Sequence, residues 1–204
     1  MKPYSESCDQ NRDPILKILQ ELFANKKHIL EIGSGTGQHA VYFAKHMPHL
    51  IWQCSDQTTY HDGINEWLKE AKLDNTVSPI ALNVSTDDWP STSSTSTHSN
   101  NTDAIFSANT VHIMSWDNVK DFINNAGKLL TKNGLLVLYG PFNYNNQYTS
   151  QSNKQFDSWL KQRDSKSGIR DFEDINKLAK QANFILQNDY PMPTNNRILC
   201  WKKY

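Results

Sequence analysis

Three glycines fall within five positions, at Gly33, Gly35 and Gly37, directly after the apolar run of residues 28–32. Glycine at that density weakens a helix or a strand, so its presence needs a specific reason. A turn that follows a strand and opens a helix is the setting in which a glycine motif is informative, because a ligand can then lie against bare backbone. A merely tight turn is the alternative interpretation.

The spacing of this turn is G-x-G-x-G, and it departs from the G-x-G-x-x-G pattern of nicotinamide-binding turns. That pattern would need its third glycine at position 38, where the chain has Gln38. Asp56 ends the second predicted strand, where its carboxylate can accept hydrogen bonds from ligand hydroxyls worth about 1.5–3 kcal/mol each. A solvated strand end is the alternative for Asp56.

A third group of polar side chains follows the fourth predicted strand, at Ser107, Asn109 and His112. His112 is a candidate general base near neutral pH, and packing at the start of the next helix is its alternative. Asn109 is a candidate for orienting a ligand by hydrogen bonds, or else a turn-forming residue. Both are therefore candidate catalytic residues.

An alternation of strands and helices must position these groups. Strands are predicted at residues 28–32, 50–55, 77–82, 103–108, 135–139, 184–190 and 197–202. Helices are predicted at residues 15–23, from the glycine turn to about 45, 63–71, 116–130 and 172–182. The last two strands are joined by a loop short enough for an antiparallel pair. This order predicts an α/β fold with a doubly wound, mostly parallel seven-stranded sheet and one antiparallel strand.

Helix boundaries are predicted from capping residues. Asp13 is a candidate N-cap with Pro14 at the first helical position, and Ser115 and Asp171 are candidate N-caps of later helices. The length of 204 residues suits a single domain over residues 1–204. Residues 91–102 are nearly all Ser, Thr and Asn, which predicts a flexible surface insertion.

Charge and composition restrict the function classes. The 21 basic and 21 acidic residues cancel, and only four of the basic residues are arginines, which disfavours a nucleic-acid partner. The longest apolar runs have the length of strands, and residues 1–14 lack the apolar core of a signal peptide, so we expect a cytoplasmic protein without a membrane partner. No histidine and cysteine share a zinc-site spacing, so no metal is expected.

The glycine turn carries a resemblance to a known family. The segment EIGSGTG at 31–37 places an acidic and an apolar residue before G-x-G-x-G, and it resembles the first motif of class I S-adenosylmethionine-dependent methyltransferases. Further blocks are NRDPIL at 11–16, IFSANTVHIMSW at 105–116, LYGPFN at 138–143, SNKQFDSWLKQRD at 152–164, GIRDFED at 168–174 and MPTNNR at 192–197. Together they are similar to the methyltransferase-like proteins of domain of unknown function 938, the methyltransferase-like 26 group, over nearly the whole chain.

This resemblance implies a Rossmann-like class I methyltransferase fold with S-adenosyl-L-methionine as cofactor and an unidentified, small-molecule methyl acceptor. Asp56 would accept both ribose hydroxyls. The implied cofactor-binding residues are Glu31, Gly33, Ser34, Gly35, Gly37, Asp56, Gln57, Asn83, Val84, Ser107 and Asn109. Asn83 departs from the acidic residue that many relatives carry, and Asp87, Asp88 and Trp89 are alternatives for contacting the adenine.

The residues predicted to bind the methyl acceptor are indicated by weaker sequence patterns than the cofactor-binding residues. They are Asn11, Arg12, Tyr139, Phe142, Arg170, Asn195 and Asn196. Either Arg170 or Arg197 would bind an anionic group by bidentate contact, or else form a structural ion pair with Asp171 or Asp164. Aromatic side chains such as Tyr139 and Phe142 wall a pocket or belong to the core. Two other functions stay open: a cofactor-binding module without turnover that acts through protein partners, and a nicotinamide-dependent oxidoreductase, which Gln38 disfavours.

Overall fold

The structure is a computed structural model that describes residues 2–90 and 102–204. Its helices are α1 Glu6–Leu22, α2 Gln38–His46, α3 His61–Ala71, α4 Trp116–Leu129, α5 Gln151–Arg163 and α6 Phe172–Gln181. Its strands are β1 His28–Ile32, β2 Ile51–Asp56, β3 Thr76–Ala81, β4 Ala104–Ala108, β5 Leu135–Gly140, β6 Phe142–Asn143, β7 Arg170–Asp171, β8 Phe184–Met192 and β9 Asn196–Lys203. No helix within these described ranges is both long enough and apolar enough to cross a bilayer.

Seven of the strands form one sheet in the order β3-β2-β1-β4-β5-β9-β8. The pairs β1–β2, β1–β4 and β2–β3 are parallel, whereas β9 is antiparallel to both β5 and β8. This arrangement confirms the predicted doubly wound α/β fold with one reversed strand. The strand order turns back between β1 and β4, and ligands of such sheets bind beyond the carboxyl ends of the strands at this point.

The chain divides into two compact units, Met1–Ser107 and Ala108–Tyr204. The prediction of one domain over residues 1–204 stays a prediction, and the predicted insertion at 91–102 lies outside the described residues except for Thr102. In the first unit, the fully buried rings of Phe43, Trp52 and Phe106 form the centre of the core, with 5.6 Å between the Phe43 centroid and each of the other two. Burial of such rings supplies much of a core's stability.

The second unit is built around β5, which is buried along its whole length. Helix α4 buries Val119, Phe122, Ile123 and Ala126, the stripe expected from their helical spacing. The predicted caps are confirmed: the Ser115 side chain accepts from the Asn118 N–H, and the Asp171 side chain accepts from the Glu173 N–H.

The prediction for the start of the first helix is wrong. Helix α1 begins at Glu6 after Ser5, so Pro14 lies inside the helix and Asp13 is not its N-cap. An interior proline costs one helical hydrogen bond, about 3 kcal/mol in an isolated helix. Tertiary contacts of α1 with α2 offset this cost, because Asn11 is buried against His39 and Asp13 accepts a hydrogen bond from the Tyr42 hydroxyl.

Candidate functional site

The glycine turn is fixed against the end of β2. The backbone N–H groups of Gly33 and Ser34 both donate to the Ser55 carbonyl at 3.0 Å, and the Gly37 N–H donates to the Ser34 carbonyl at 2.9 Å. All three glycines have positive φ, at 73°, 56° and 88°. Positive φ is strained for other residues, so the turn requires glycine for its backbone conformation.

Packing distinguishes the last two glycines of the turn. A Cβ atom added to Gly37 would lie 3.1 Å from the Ile64 Cα atom, so close packing against α3 excludes a side chain there. A Cβ atom added to Gly35 would have no heavy atom within 4 Å. The described residues of the first unit therefore leave open space in front of Gly35.

The Asp56 carboxylate lies beside this open space, at the last position of β2. Its Oδ2 accepts the Gly35 N–H and its Oδ1 accepts the Gln57 N–H, both at 2.7 Å. A carboxylate has about four lone-pair positions, so each oxygen can still accept a hydroxyl. Burial raises the pKa of Asp56, and the two backbone hydrogen bonds oppose that rise. Ligand binding by Asp56 stays a prediction.

Glu31 is a buried carboxylate below the turn. Its Oε2 accepts the Ser34 hydroxyl at 2.9 Å and the Trp52 indole N–H at 3.1 Å. Burial raises the pKa of Glu31 to about 7, an effect that the nearby Asp56 reinforces and the two hydrogen bonds reduce. No sequence pattern indicated Trp52, because its contact with Glu31 depends on the pairing of β1 with β2.

Gln38, which stands where the nicotinamide-binding pattern needs its third glycine, holds the N-terminal segment of the chain at Ser5. The Gln38 side-chain oxygen accepts the Ser5 N–H at 2.6 Å, and its amide nitrogen donates to the Ser5 carbonyl at 3.3 Å. Asn11 forms a 2.7 Å hydrogen bond with His39, and Arg12 pairs with Asp9 at 2.6 Å. These contacts give Asn11 and Arg12 structural roles, and their binding of an acceptor stays a prediction.

The segment after β3 forms a hydrogen-bonded turn. The Asn83 N–H donates to Asp87 Oδ2 at 2.7 Å, while the Asn83 side-chain oxygen accepts the Ser85 N–H at 3.1 Å. Val84 is buried, and its carbonyl accepts the Trp89 indole N–H. An adenine contact at Asn83 or Val84 stays a prediction.

Ser107 closes the first unit at the end of β4. Its hydroxyl donates to the Ile32 carbonyl at 2.7 Å, and it is 1 % exposed. This hydrogen bond ties β4 to the residue that precedes the glycine turn. The structure thus brings together Glu31, Gly33, Ser34, Gly35, Gly37, Asp56, Gln57 and Ser107 within the first unit.

The predicted catalytic residues lie in the second unit. Asn109 has a positive φ of 58° and donates its N–H to the Tyr139 carbonyl at 2.9 Å. The His112 ring is 4 % exposed and packs edge-on against Phe156, and its buried Nδ1 atom has no hydrogen-bond partner within residues 2–90 and 102–204. A Cβ atom added to Gly140 would lie 3.6 Å from His112 Nδ1 and 3.7 Å from Asn109 Oδ1. His112 and Asn109 therefore face a common point.

His112 is neutral at physiological pH. Burial lowers its pKa to about 4, and the charge of Arg170 contributes to the same shift. An imidazole with so low a pKa accepts a hydrogen bond readily but is a weak base. The role of His112 as a general base stays a prediction.

Arg170 is committed to backbone carbonyls. Its Nε atom donates to the Val111 carbonyl at 3.1 Å, and its Nη2 atom donates to the carbonyls of Met114 and Lys166. Tyr139 and Phe142, the predicted pocket wall, are 2 % and 0 % exposed. Both aromatic side chains are thus part of the core of the second unit.

The last hairpin holds the remaining candidates. The Asn195 carbonyl accepts the Asn153 side-chain N–H at 3.2 Å, and the Asn196 side chain donates to the Pro193 carbonyl at 3.3 Å. Arg197 pairs with Asp189 at 2.7 Å, not with the predicted Asp171 or Asp164. Acceptor binding by Asn195 and Asn196 stays a prediction.

Comparison with known protein families finds one family whose model matches this chain. The model of a family described as "Protein of unknown function (DUF938)" matches residues 2–203. The match covers nearly the whole chain, including the glycine turn, Asp56 and the His112 region.

Solved structures share the fold at low sequence identity. An O-methyltransferase family protein from Burkholderia thailandensis has a TM-score of 0.78 at 14% identity, over 94% of this chain and 55% of its own. An O-methyltransferase family 2 protein from Planctomyces limnophilus, in complex with apigenin, has a TM-score of 0.79 at 13% identity, over 95% and 56%. The O-methyltransferase NcsB1 from neocarzinostatin biosynthesis, in complex with S-adenosylmethionine and 2-hydroxy-5-methyl naphthoic acid, has a TM-score of 0.76 at 11% identity, over 97% and 55%. The chain spans about half the length of these proteins.

Proposed function

The chain belongs to the DUF938 family of proteins of unknown function, and we propose that it is an S-adenosylmethionine-dependent methyltransferase acting on a small-molecule acceptor. The observation that carries this proposal is the open space in front of Gly35, where an added Cβ atom would have no neighbour within 4 Å, beside the Asp56 carboxylate. Structural neighbours described as methyltransferases, one of them with S-adenosylmethionine bound, support it.

The residues of the turn fit the proposed cofactor. Bare backbone at Gly35 admits its amino-acid part, and the Asp56 carboxylate can accept its ribose hydroxyls. The Asp56 carboxylate adds negative charge beside Gly35, which favours a ligand with ammonium and sulfonium groups over a pyrophosphate. The bound cofactor would supply an electrophilic methyl group on its sulfonium.

The protein's own contribution is to bind and orient, because an in-line methyl displacement gains most from positioning. His112 and Asn109 are proposed to act on the acceptor. We propose that the His112 Nδ1 atom, which has no hydrogen-bond partner among the described residues, accepts the hydrogen bond of an acceptor hydroxyl or amine once a local movement exposes it, and that the Asn109 amide orients this group. With its pKa near 4, the His112 imidazole is uncharged across the neutral range.

Three experiments test the proposal against its alternatives. Calorimetric titration with S-adenosylhomocysteine should show binding, and methyl-labelled S-adenosylmethionine incubated with a metabolite extract should give a labelled small molecule. Transfer of label that is lost in His112→Ala but kept in a control variant, Asp74→Ala, would support the assigned role. Absence of binding would contradict the proposal, whereas binding without label transfer to any acceptor would favour the binding module. A titration with NADH that showed tight binding would favour the oxidoreductase.

A further inference from the structure

The N-terminal segment of the chain lies across helix α3. The Pro3 carbonyl accepts the Trp67 indole N–H at 2.7 Å. The Lys2 ammonium group forms a 2.7 Å ion pair with Glu70 and lies 3.6 Å from the centre of the Trp67 ring. We name residues 2–5 the N-terminal strap. The first half of the strap is thus fixed to α3 by both backbone and side-chain contacts.

A glycine in α3 makes room for the strap. A Cβ atom added to Gly63 would lie 2.5 Å from the Pro3 Cγ atom, so an alanine at this position would displace the strap. Glycine weakens a helix interior relative to alanine, and Gly63 does not have a positive φ that would require it. The close contact with Pro3 therefore accounts for the glycine.

The other end of the strap is held by Gln38, in the first turn of α2. The Gln38 side-chain oxygen accepts the Ser5 N–H at 2.6 Å, and its amide nitrogen donates to the Ser5 carbonyl at 3.3 Å. Gln38 is only 5 % exposed. One buried amide thus binds both backbone polar groups of Ser5.

The same amide is bound to the glycine turn. Thr36, which follows Gly35 in the turn, donates its hydroxyl to the Gln38 side-chain oxygen at 3.0 Å. The Thr36 hydroxyl oxygen in turn accepts the Gln38 backbone N–H at 3.3 Å. The Gln38 side chain therefore connects the turn directly to the strap, and the orientation of its amide depends on the conformation of Thr36.

We infer that Gln38 is a positioning residue through which cofactor binding at the glycine turn and docking of the N-terminal strap favour each other. The inference rests on the proposed function, because the cofactor is expected to lie against Gly35, directly before Thr36. A ligand that fixes the backbone of the turn also fixes the Thr36 hydroxyl and the Gln38 amide, so less freedom is lost when Ser5 docks. Such coupling is reciprocal, so release of the strap should weaken cofactor binding by the factor by which the cofactor stabilises the docked strap.

Cleavage by chymotrypsin after Tyr4 reports release of the strap. The Tyr4 side chain is exposed, whereas Ser5, on the other side of the scissile bond, is held by Gln38. The cleavage rate tracks the released fraction when release and docking are faster than cleavage. Mass spectrometry of the products follows the loss of residues 1–4 separately from cuts elsewhere. Saturating S-adenosylhomocysteine should slow this loss about tenfold in the wild type, a typical strength of coupling between two sites.

Two variants release the strap from opposite ends. Gln38→Met removes the side-chain hydrogen bonds to Ser5 with little change in length. Gly63→Ala displaces Pro3 from α3 without a substitution in the turn. Both variants should be cleaved faster and bind S-adenosylhomocysteine about tenfold more weakly, and in Gln38→Met the ligand should no longer slow cleavage. The matched control is Asn65→Ala, which places alanine at an exposed position of the same helix and should behave like the wild type.

The inference would be overturned if the wild type bound S-adenosylhomocysteine without any change in cleavage after Tyr4. It would also be overturned if Gly63→Ala were cleaved faster than Asn65→Ala but bound the ligand equally tightly. Because Gly63 lies in α3 and not in the turn, this comparison holds even if Gln38→Met does not fold. Absence of S-adenosylhomocysteine binding to the wild type would instead contradict the proposed function, together with the coupling that rests on it.

Discussion

Replacing Asp56 should separate ligand binding from the architecture of the turn. In the structure, this carboxylate accepts the N–H groups of Gly35 and Gln57, and it has capacity for two more donors. A hydrogen bond to a charged group is worth at least about 1.5 kcal/mol, or roughly tenfold in affinity. Asp56→Ala should therefore weaken S-adenosylhomocysteine binding by about tenfold if one ribose hydroxyl is bound, and about a hundredfold if both are.

Loss of affinity alone would not identify the ribose as the contact, because Asp56→Ala also leaves the Gly35 N–H without its acceptor. The 2′-deoxy analogue of S-adenosylhomocysteine resolves this ambiguity in a thermodynamic cycle. The wild type should prefer the ribose form by about tenfold, and Asp56→Ala should show no preference. Asp56→Asn keeps an acceptor for the Gly35 N–H but loses the charge, so its preference for the ribose form should lie between those of the wild type and Asp56→Ala.

Isothermal titration calorimetry of both ligands with each variant supplies the measurement. Asp74→Ala, which removes an exposed carboxylate of the same unit, is the control and should bind like the wild type. If Asp56→Ala retained the full preference for the ribose form, the Asp56 carboxylate would not bind the ribose.

Three further predictions concern the turn and two buried titratable groups. Gly35→Ala should abolish S-adenosylhomocysteine binding and lower the free energy of unfolding by only about 1 kcal/mol. Gly37→Ala should lower the free energy of unfolding further, because its Cβ atom would crowd Ile64. Equal losses for the two variants in urea unfolding would contradict this difference. The pKa of Glu31 is about 7 in the folded protein and 4.5 in the unfolded chain. As the pH rises from 4.5 to 7, the free energy of unfolding of the wild type should therefore fall by about 3 kcal/mol relative to that of Glu31→Gln. A difference between the two proteins that does not change with pH would argue against this burial of Glu31. The pKa of His112 is about 4 in the folded protein and 6.5 in the unfolded chain. As the pH falls from 6.5 to 4, the free energy of unfolding of the wild type should therefore fall relative to that of His112→Gln. An equal pH dependence in the two proteins would argue against burial of His112 as a neutral group.

The parts of the site that the sequence predicted are those with local signals. Glycine density and a strand followed by Asp56 depend on a few adjacent residues, and the positive φ values and the Asp56–Gly35 hydrogen bond agree with that prediction. The sheet and its reversed strand followed from apolar runs separated by helical spacing.

The parts that the sequence did not predict depend on long-range contacts or on weak patterns. Trp52 reaches Glu31 only through the register of β1 and β2, and Gln38 holds Ser5 although its sequence position suggested only a missing glycine. Helix α5 is mostly polar, with an apolar stripe too sparse to indicate a helix.

A crystal structure of the chain soaked with S-adenosylhomocysteine would show where the ligand binds. We expect the ribose hydroxyls within hydrogen-bond distance of the Asp56 carboxylate and the amino-acid part over Gly35. Ligand density elsewhere, or an empty turn at saturating concentration, would contradict it.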